Sequence, residues 1–160
     1  MRFSIALIAA SAAVARAGVF TQQTYNDISI SGGVAGNAEQ EALAVFSALD
    51  PNNLAAADDD DIEFLKSVNS ICNDAEDEAF NPAIDAASGD AADALQRGKI
   101  KNKVLKLEAT ILRLKIQQAQ GDDVADDMAA EQKKLDNNIQ QDEDEAGKPS
   151  TFLSFDATTA

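Results

Sequence analysis

"GDAADALQRGKIKNKVLKLEATILRLKIQQAQG", Gly89–Gly121, decides how the rest of this chain is read. Within it Ile100, Val104, Leu107, Ile111 and Leu114 recur at intervals of 4, 3, 4 and 3. That heptad-like spacing puts all five on one face of a helix, as a core seam. One wheel position before the seam lie Lys99, Lys103, Lys106 and Arg113; one position after lie Lys101, Leu105, Glu108, Leu112 and Lys115. An apolar seam flanked by long charged stems is what a bundle helix looks like when those stems cover the seam and reach neighbouring helices. Gly98 costs such a helix about 1 kcal/mol relative to alanine, so a close crossing or a kink is expected there.

The same stretch concentrates positive charge in an acidic protein. Between Ala91 and Gln120 there are seven basic and two acidic residues, in a chain of formal net charge −15. Nucleic acid is not the expected partner. A chain this acidic repels polyanions, and the segment has no aromatic residue on which a base could stack. The expected partners of the basic helix are acidic helices of the same chain. Exposed ion pairs are each worth ~0–1 kcal/mol, so the bases select which helices adjoin and the buried seams hold them. Lys99, Lys103, Lys106 and Arg113 are the candidate positions for a surface or partner contact.

Other helices follow from spacing and stop signals. Ala38, Ala42, Val45 and Leu49 form a stripe that Pro51 ends, which predicts a helix over 37–49. Asp58–Asp61 sits where the next helix begins. Its carboxylates suit the helix dipole and can cap free amides, whereas a calcium site needs about six oxygens wrapped round a point. That helix is predicted to reach Phe80, with Leu65, Val68, Cys72, Ala75 and Ala79 on one face. Asn81 and Pro82 predict a new short helix, Asp90 a cap for the basic helix, and Asp122 or Asp123 the start of the last one. Val124, Met128, Leu135 and Ile139 make its seam, with Ala125 and Ala129 beside them. The polar, glycine-rich 18–36 predicts an extended arm with a short strand near Ile28 and Ile30. The tail 147–160 could pair with that arm or staple the bundle. The expectation is all-α: an antiparallel bundle of about four helices over 37–146, with two extended arms.

The start of the chain reads as an address. Arg2, the apolar Phe3–Ala15 and "ARA" at Ala15–Ala17 predict a signal peptide over 1–17, cut after Ala17 or, less favourably, after Ala12. The mature chain would then be secreted, extracellular and possible to find at the cell wall, with no transmembrane segment and net charge −17. Histidine and tryptophan are absent and Cys72 is the single cysteine. No Ser/His or Cys/His catalytic pair can form, no cofactor or metal site is indicated, and no enzyme is expected. Cys72 bridges to another chain, serves as a reactive thiol, or is a small buried apolar residue; its helical neighbours favour burial.

Three blocks, "DISISGGVAGNAEQEA", "EAFNPAIDAASGDAADALQRGKIKNKVLKLEATILRLKIQQAQG" and "AAEQKKLDNNIQQDEDEAG" with "STFLSFDAT", resemble a family of small secreted proteins of filamentous ascomycetes. "GKIKNKVLKL" and "EQKKLDNNI" carry the resemblance most specifically. It implies a fungal secreted protein of the candidate-effector type with no assigned activity. In size and helical make-up alone the chain is also similar to fungal hydrophobic-surface-binding wall proteins. Three functions follow as alternatives: an interaction protein acting on a protein or surface partner; a surface-active or lipid-binding bundle that opens to expose Leu105, Leu107, Ile111, Leu112, Leu114 and Ile116; and a weak cation buffer built from the acidic runs. A heptad seam serves a monomeric bundle or a helical dimer equally well.

Overall fold

A computed structural model of the chain describes residues 18–160; the expected signal peptide, 1–17, lies outside them. The fold is all-α. Helices run α1 Tyr25–Ile28, α2 Ala38–Val45, α3 Asp59–Ala75, α4 Asn81–Ala86, α5 Asp90–Gln120 and α6 Ala125–Asp144. The 31 residues of α5 span about 46 Å. This helix is the axis of the molecule: α3 and α4 run antiparallel along one side, α6 returns along another, and α2 fills the angle between α5 and α6.

Burial follows the seam. Ile100, Val104, Leu107, Ile111 and Leu114 are all buried, and so are Leu105, Ala109 and Ile116 on other faces of α5. Phe64, Leu65, Val68, Ile71, Cys72 and Ala75 of α3 share one core cluster with Val104, Leu105, Leu107, Ala109, Ile111 and Ile116. At roughly 1.5–3 kcal/mol per large buried side chain, these contacts outweigh every surface ion pair in the fold.

Several boundaries differ from expectation for physical reasons. The helix predicted to stop at Phe80 does not stop. A π-helical turn over Glu76–Phe80 leads straight into α4, and Asn81 has helical dihedrals instead of capping. Pro82 lacks an amide hydrogen and would clash one turn back; the wider turn accommodates it. Asp90 does not cap α5. Gly89 holds that position at φ 58°, and Asp90 is the first helical residue. The last helix starts after Val124, without a side-chain cap. Its buried line is Leu135, Asn138 and Asp142, while Val124, Met128 and Ile139 are only partly buried and Ala125 and Ala129 are exposed. The first predicted helix is shorter, ending at Val45, with Phe46 and Leu49 buried beyond it.

The arms also differ. No strand forms near Ile28. Thr24 and Asp27 close a capping box over the single turn α1, a T-x-x-D signal that periodicity did not reveal. The arm pairs with the C-terminal tail at two isolated antiparallel bridges, Thr24–Thr158 and Val34–Pro149. Tail and arm together form a clasp over the N-terminal half of α5, closed by Thr151 N–H donating to the Ala94 carbonyl.

Candidate functional site

Three groups of polar residues stand out along α5. The first is buried. Lys101 is wholly enclosed, and its ammonium donates to the carbonyls of Gly32 (2.7 Å) and Val34 (3.0 Å) and pairs with Glu41 (2.7 Å). The arm, α2 and α5 therefore meet at one cation. Asn102, next in sequence, accepts from Tyr25 Oη at 2.9 Å and donates to the Cys72 carbonyl at 2.9 Å. Burial pushes the Tyr25 hydroxyl up to about 12. Lys101 belongs to the flank expected to snorkel outward; instead it is part of the interior, because neighbours surround α5 on nearly every side.

The second group is the basic row. Lys103 and Lys106 share Glu76, at 3.6 and 3.1 Å, and Lys106 also reaches Asn73. Lys99 donates to Asn81, whose own amide donates to Asp77. Arg113 lies apart from them and donates to Gln117 within α5, facing a shallow hollow between α3 and α6. The structure thus brings Lys99, Lys103 and Lys106 together against α3 and α4, and separates Arg113 from them.

The third group borders a groove of about 950 Å³ between the start of α5 and the end of α6. Arg97 donates to Glu145 (3.0 Å) and to the Pro149 carbonyl (2.6 Å) across its floor. Glu145 also pairs with Lys148; these two contacts, Lys148 first, hold its carboxyl below the ordinary range. Asp90, Asp93 and Asp144 complete an acidic rim. The spacing of charges along α5 does not reveal this groove, because half of its wall comes from α6 and the tail.

Two further residues bear on chemistry. Cys72 is fully buried, and burial raises its thiol to about 12, with Lys106 opposing and Glu76 reinforcing the shift. The thiolate is the reactive form. A thiol reagent at pH 8 should therefore leave the folded protein unmodified and label it stoichiometrically in denaturant; labelling of the native protein within minutes would show that the site opens. Glu108 is also buried, and desolvation raises its carboxyl to about 7; Lys115 opposes this, while Glu39 and Asp136 reinforce it. Its folded pKa exceeds the unfolded value of ~4.3, so its contribution to stability is complete below that value and is lost as pH rises towards 7. Glu108→Gln should flatten this loss and raise stability at pH 8 by roughly 2 kcal/mol, measured as urea midpoints at pH 5 and pH 8. An identical pH dependence in both proteins would contradict the assignment.

Among the described residues no cluster of three or more acidic or cysteine side chains is disposed to hold a metal ion. Asp58 and Asp61 are occupied with backbone amides in the capping box of α3. No helix among the described residues is long and apolar enough to cross a membrane. The chain belongs to the family described as a domain of unknown function, DUF8454, whose model matches residues 20–154. Neither the curated proteins nor the solved structures contain a match to it.

Proposed function

We propose that this DUF8454 protein is a secreted, non-enzymatic fungal interaction protein, a candidate effector or cell-wall-associated factor that meets a protein or surface partner through its acidic helical exterior. One observation carries this reading. Four of the seven cations of α5 pair with carboxylates from other segments of the same chain: Arg97, Lys101, Lys103 and Lys106. Glu145, Glu41 and Glu76 thus offset much of the charge of the basic helix from within, and the exterior keeps the excess of acid, suited to a cationic partner and unsuited to nucleic acid. The buried, high-pKa Cys72 and the absence of histidine support a role without catalysis. A monomer is favoured over a helical dimer because α3 and α6 already cover the seam of α5.

The alternative is a bundle that coats apolar surfaces. To present Leu105, Leu107, Ile111 and Leu114, α5 would have to leave α3, α6 and the clasp together. The test is to incubate secreted protein, confirmed helical by circular dichroism, with apolar beads and separately with wall material of the producing fungus. An interaction protein stays in solution with the beads and is retained on the wall saturably, less so at high salt. Depletion onto the beads with helix retained would overturn this reading in favour of surface coating.

A further inference from the structure

The first described residues do not trail into solvent. Val19 N–H and Phe20 N–H both donate to Asp61 Oδ1, at 2.7 and 3.3 Å. The Phe20 ring stacks on Phe64 with centroids 4.4 Å apart and meets Phe46 edge-on at 6.3 Å. Asp61 is buried beneath this segment, and its other oxygen receives the Asp58 amide. Gly18 is pressed against the same carboxylates. A Cβ at Gly18 would lie 2.8 Å from Asp61 Oδ1, 3.2 Å from Asp58 Oδ1 and 3.1 Å from Asp60 Cβ. The Gly18 nitrogen is ~2.5 Å from that Cβ position, so it lies no more than about 5–6 Å from the Asp61 and Asp58 oxygens.

We propose that cleavage after Ala17 turns Gly18 into a charged anchor, its new α-ammonium seated among the carboxylates of Asp58, Asp60 and Asp61, so that processing itself fastens the N-terminal arm to α3. The inference rests on the secretory reading above. Before cleavage this nitrogen is a neutral amide; afterwards it is a cation with three donors. The amino end of α3 alone would repel it, but the Asp58 and Asp61 carboxylates close by, with Asp60 on the same turn, reverse the local sign. Asp61 is already held in place by the Val19, Phe20 and Asp58 amides, so the receiving carboxylate needs no reorganisation. The Asp60 side chain is exposed and accepts no hydrogen bond among the described residues, so it is free to turn towards the cation. Beside Val19, Asp58 and Asp61 a hollow of about 350 Å³ is also lined by Asp50, from the loop before α3, and by no basic residue. The charges that line this hollow, Asp50, Asp58 and Asp61, are all negative.

Favouring the charged form raises the pKa of the amine above its ordinary ~7.7–8.0. The stabilisation is complete below that range and disappears as pH rises through the folded value.

The test begins with the full chain expressed in a secreting host and the mass of the recovered product, expected to start at Gly18. A second preparation exposes Gly18 by cutting an N-terminal fusion, so the anchor is tested wherever the host cleaves. On either protein, the α-amine is titrated by NMR and the melting temperature compared with that of the α-N-acetylated form. The expected results are an amine pKa above ~8.5, a melting temperature lowered by about 4 °C on acetylation, and an amine pKa brought back towards normal by Asp60→Asn, whose side chain has no capping role. A product starting elsewhere would overturn the processing reading alone. An amine that titrates normally on the fusion-derived protein, with no change of melting temperature on acetylation, would overturn the anchor.

Discussion

Gly98→Ala should destabilise the protein by roughly 3 kcal/mol, although the same change in an exposed helix interior stabilises by about 1 kcal/mol. The sign is decided by what crosses α5 at this point. A Cβ on Gly98 would collide with the Thr151 carbonyl oxygen, lie 3.0 Å from Phe80 Cε1 and come within 3.3 Å of the Ser31 carbonyl oxygen. Two of the three obstacles are backbone, and the third is a fully buried ring. None is the free end of a flexible side chain. The clasp would have to lift from α5, weakening the Thr151 bond to Ala94 that closes it. A melting temperature about 10 °C below that of the parent is expected. An unchanged or higher value would mean that the tail does not lie on α5 in solution. Deleting 150–160 from the Gly98→Ala variant then supplies the control: with the tail gone, the substitution should cost much less than in the full chain.

This glycine also shows where sequence reading stops. A glycine inside a strong helical pattern asks for a reason, and a close crossing is one of two that the sequence offers. Which segment crosses is not legible, because arm and tail have no hydrophobic period of their own and pair at isolated bridges. The core of α5 is legible, since five apolar residues at heptad spacing have few other uses. The fate of its flanks is not. Lys101 and Lys103 look alike in the pattern, yet one is enclosed and the other half-exposed, because the arm and α2 close over only one side of the helix. Row membership on a helical wheel gives direction, and burial depends on what chain arrives there from elsewhere. Asn102 carries the same lesson: a polar residue beside the seam is a solvated flank on the wheel, but here it links Tyr25 to the α3 backbone. The groove between α5 and α6 is illegible for a related reason, since Arg97 and Glu145 are 48 residues apart.

Lys101 and Glu41 should be strongly coupled, and the coupling should be asymmetric. The ammonium has three donors and three acceptors: the Gly32 and Val34 carbonyls and Glu41. With Glu41→Gln the cation stays buried, with neutral acceptors only, at a cost of about 3 kcal/mol. With Lys101→Met the stem volume is kept and Glu41, whose side chain is 38% exposed, can return to water. The cost is then mainly two carbonyls without a donor, roughly 2 kcal/mol. The double variant contains no buried charge, so its loss should fall below the sum of the two singles by about 1.5–2 kcal/mol. Urea midpoints for the four proteins measure the coupling directly. Additive losses would place Lys101 in water, and a larger loss for Lys101→Met than for Glu41→Gln would mean that the carbonyl contacts, which tie the arm to α5, outweigh the ion pair. The arm makes that comparison informative: if the carbonyls dominate, Lys101 acts chiefly as a latch for residues 32–34, and its removal should expose the arm to proteolysis before the bundle itself unfolds.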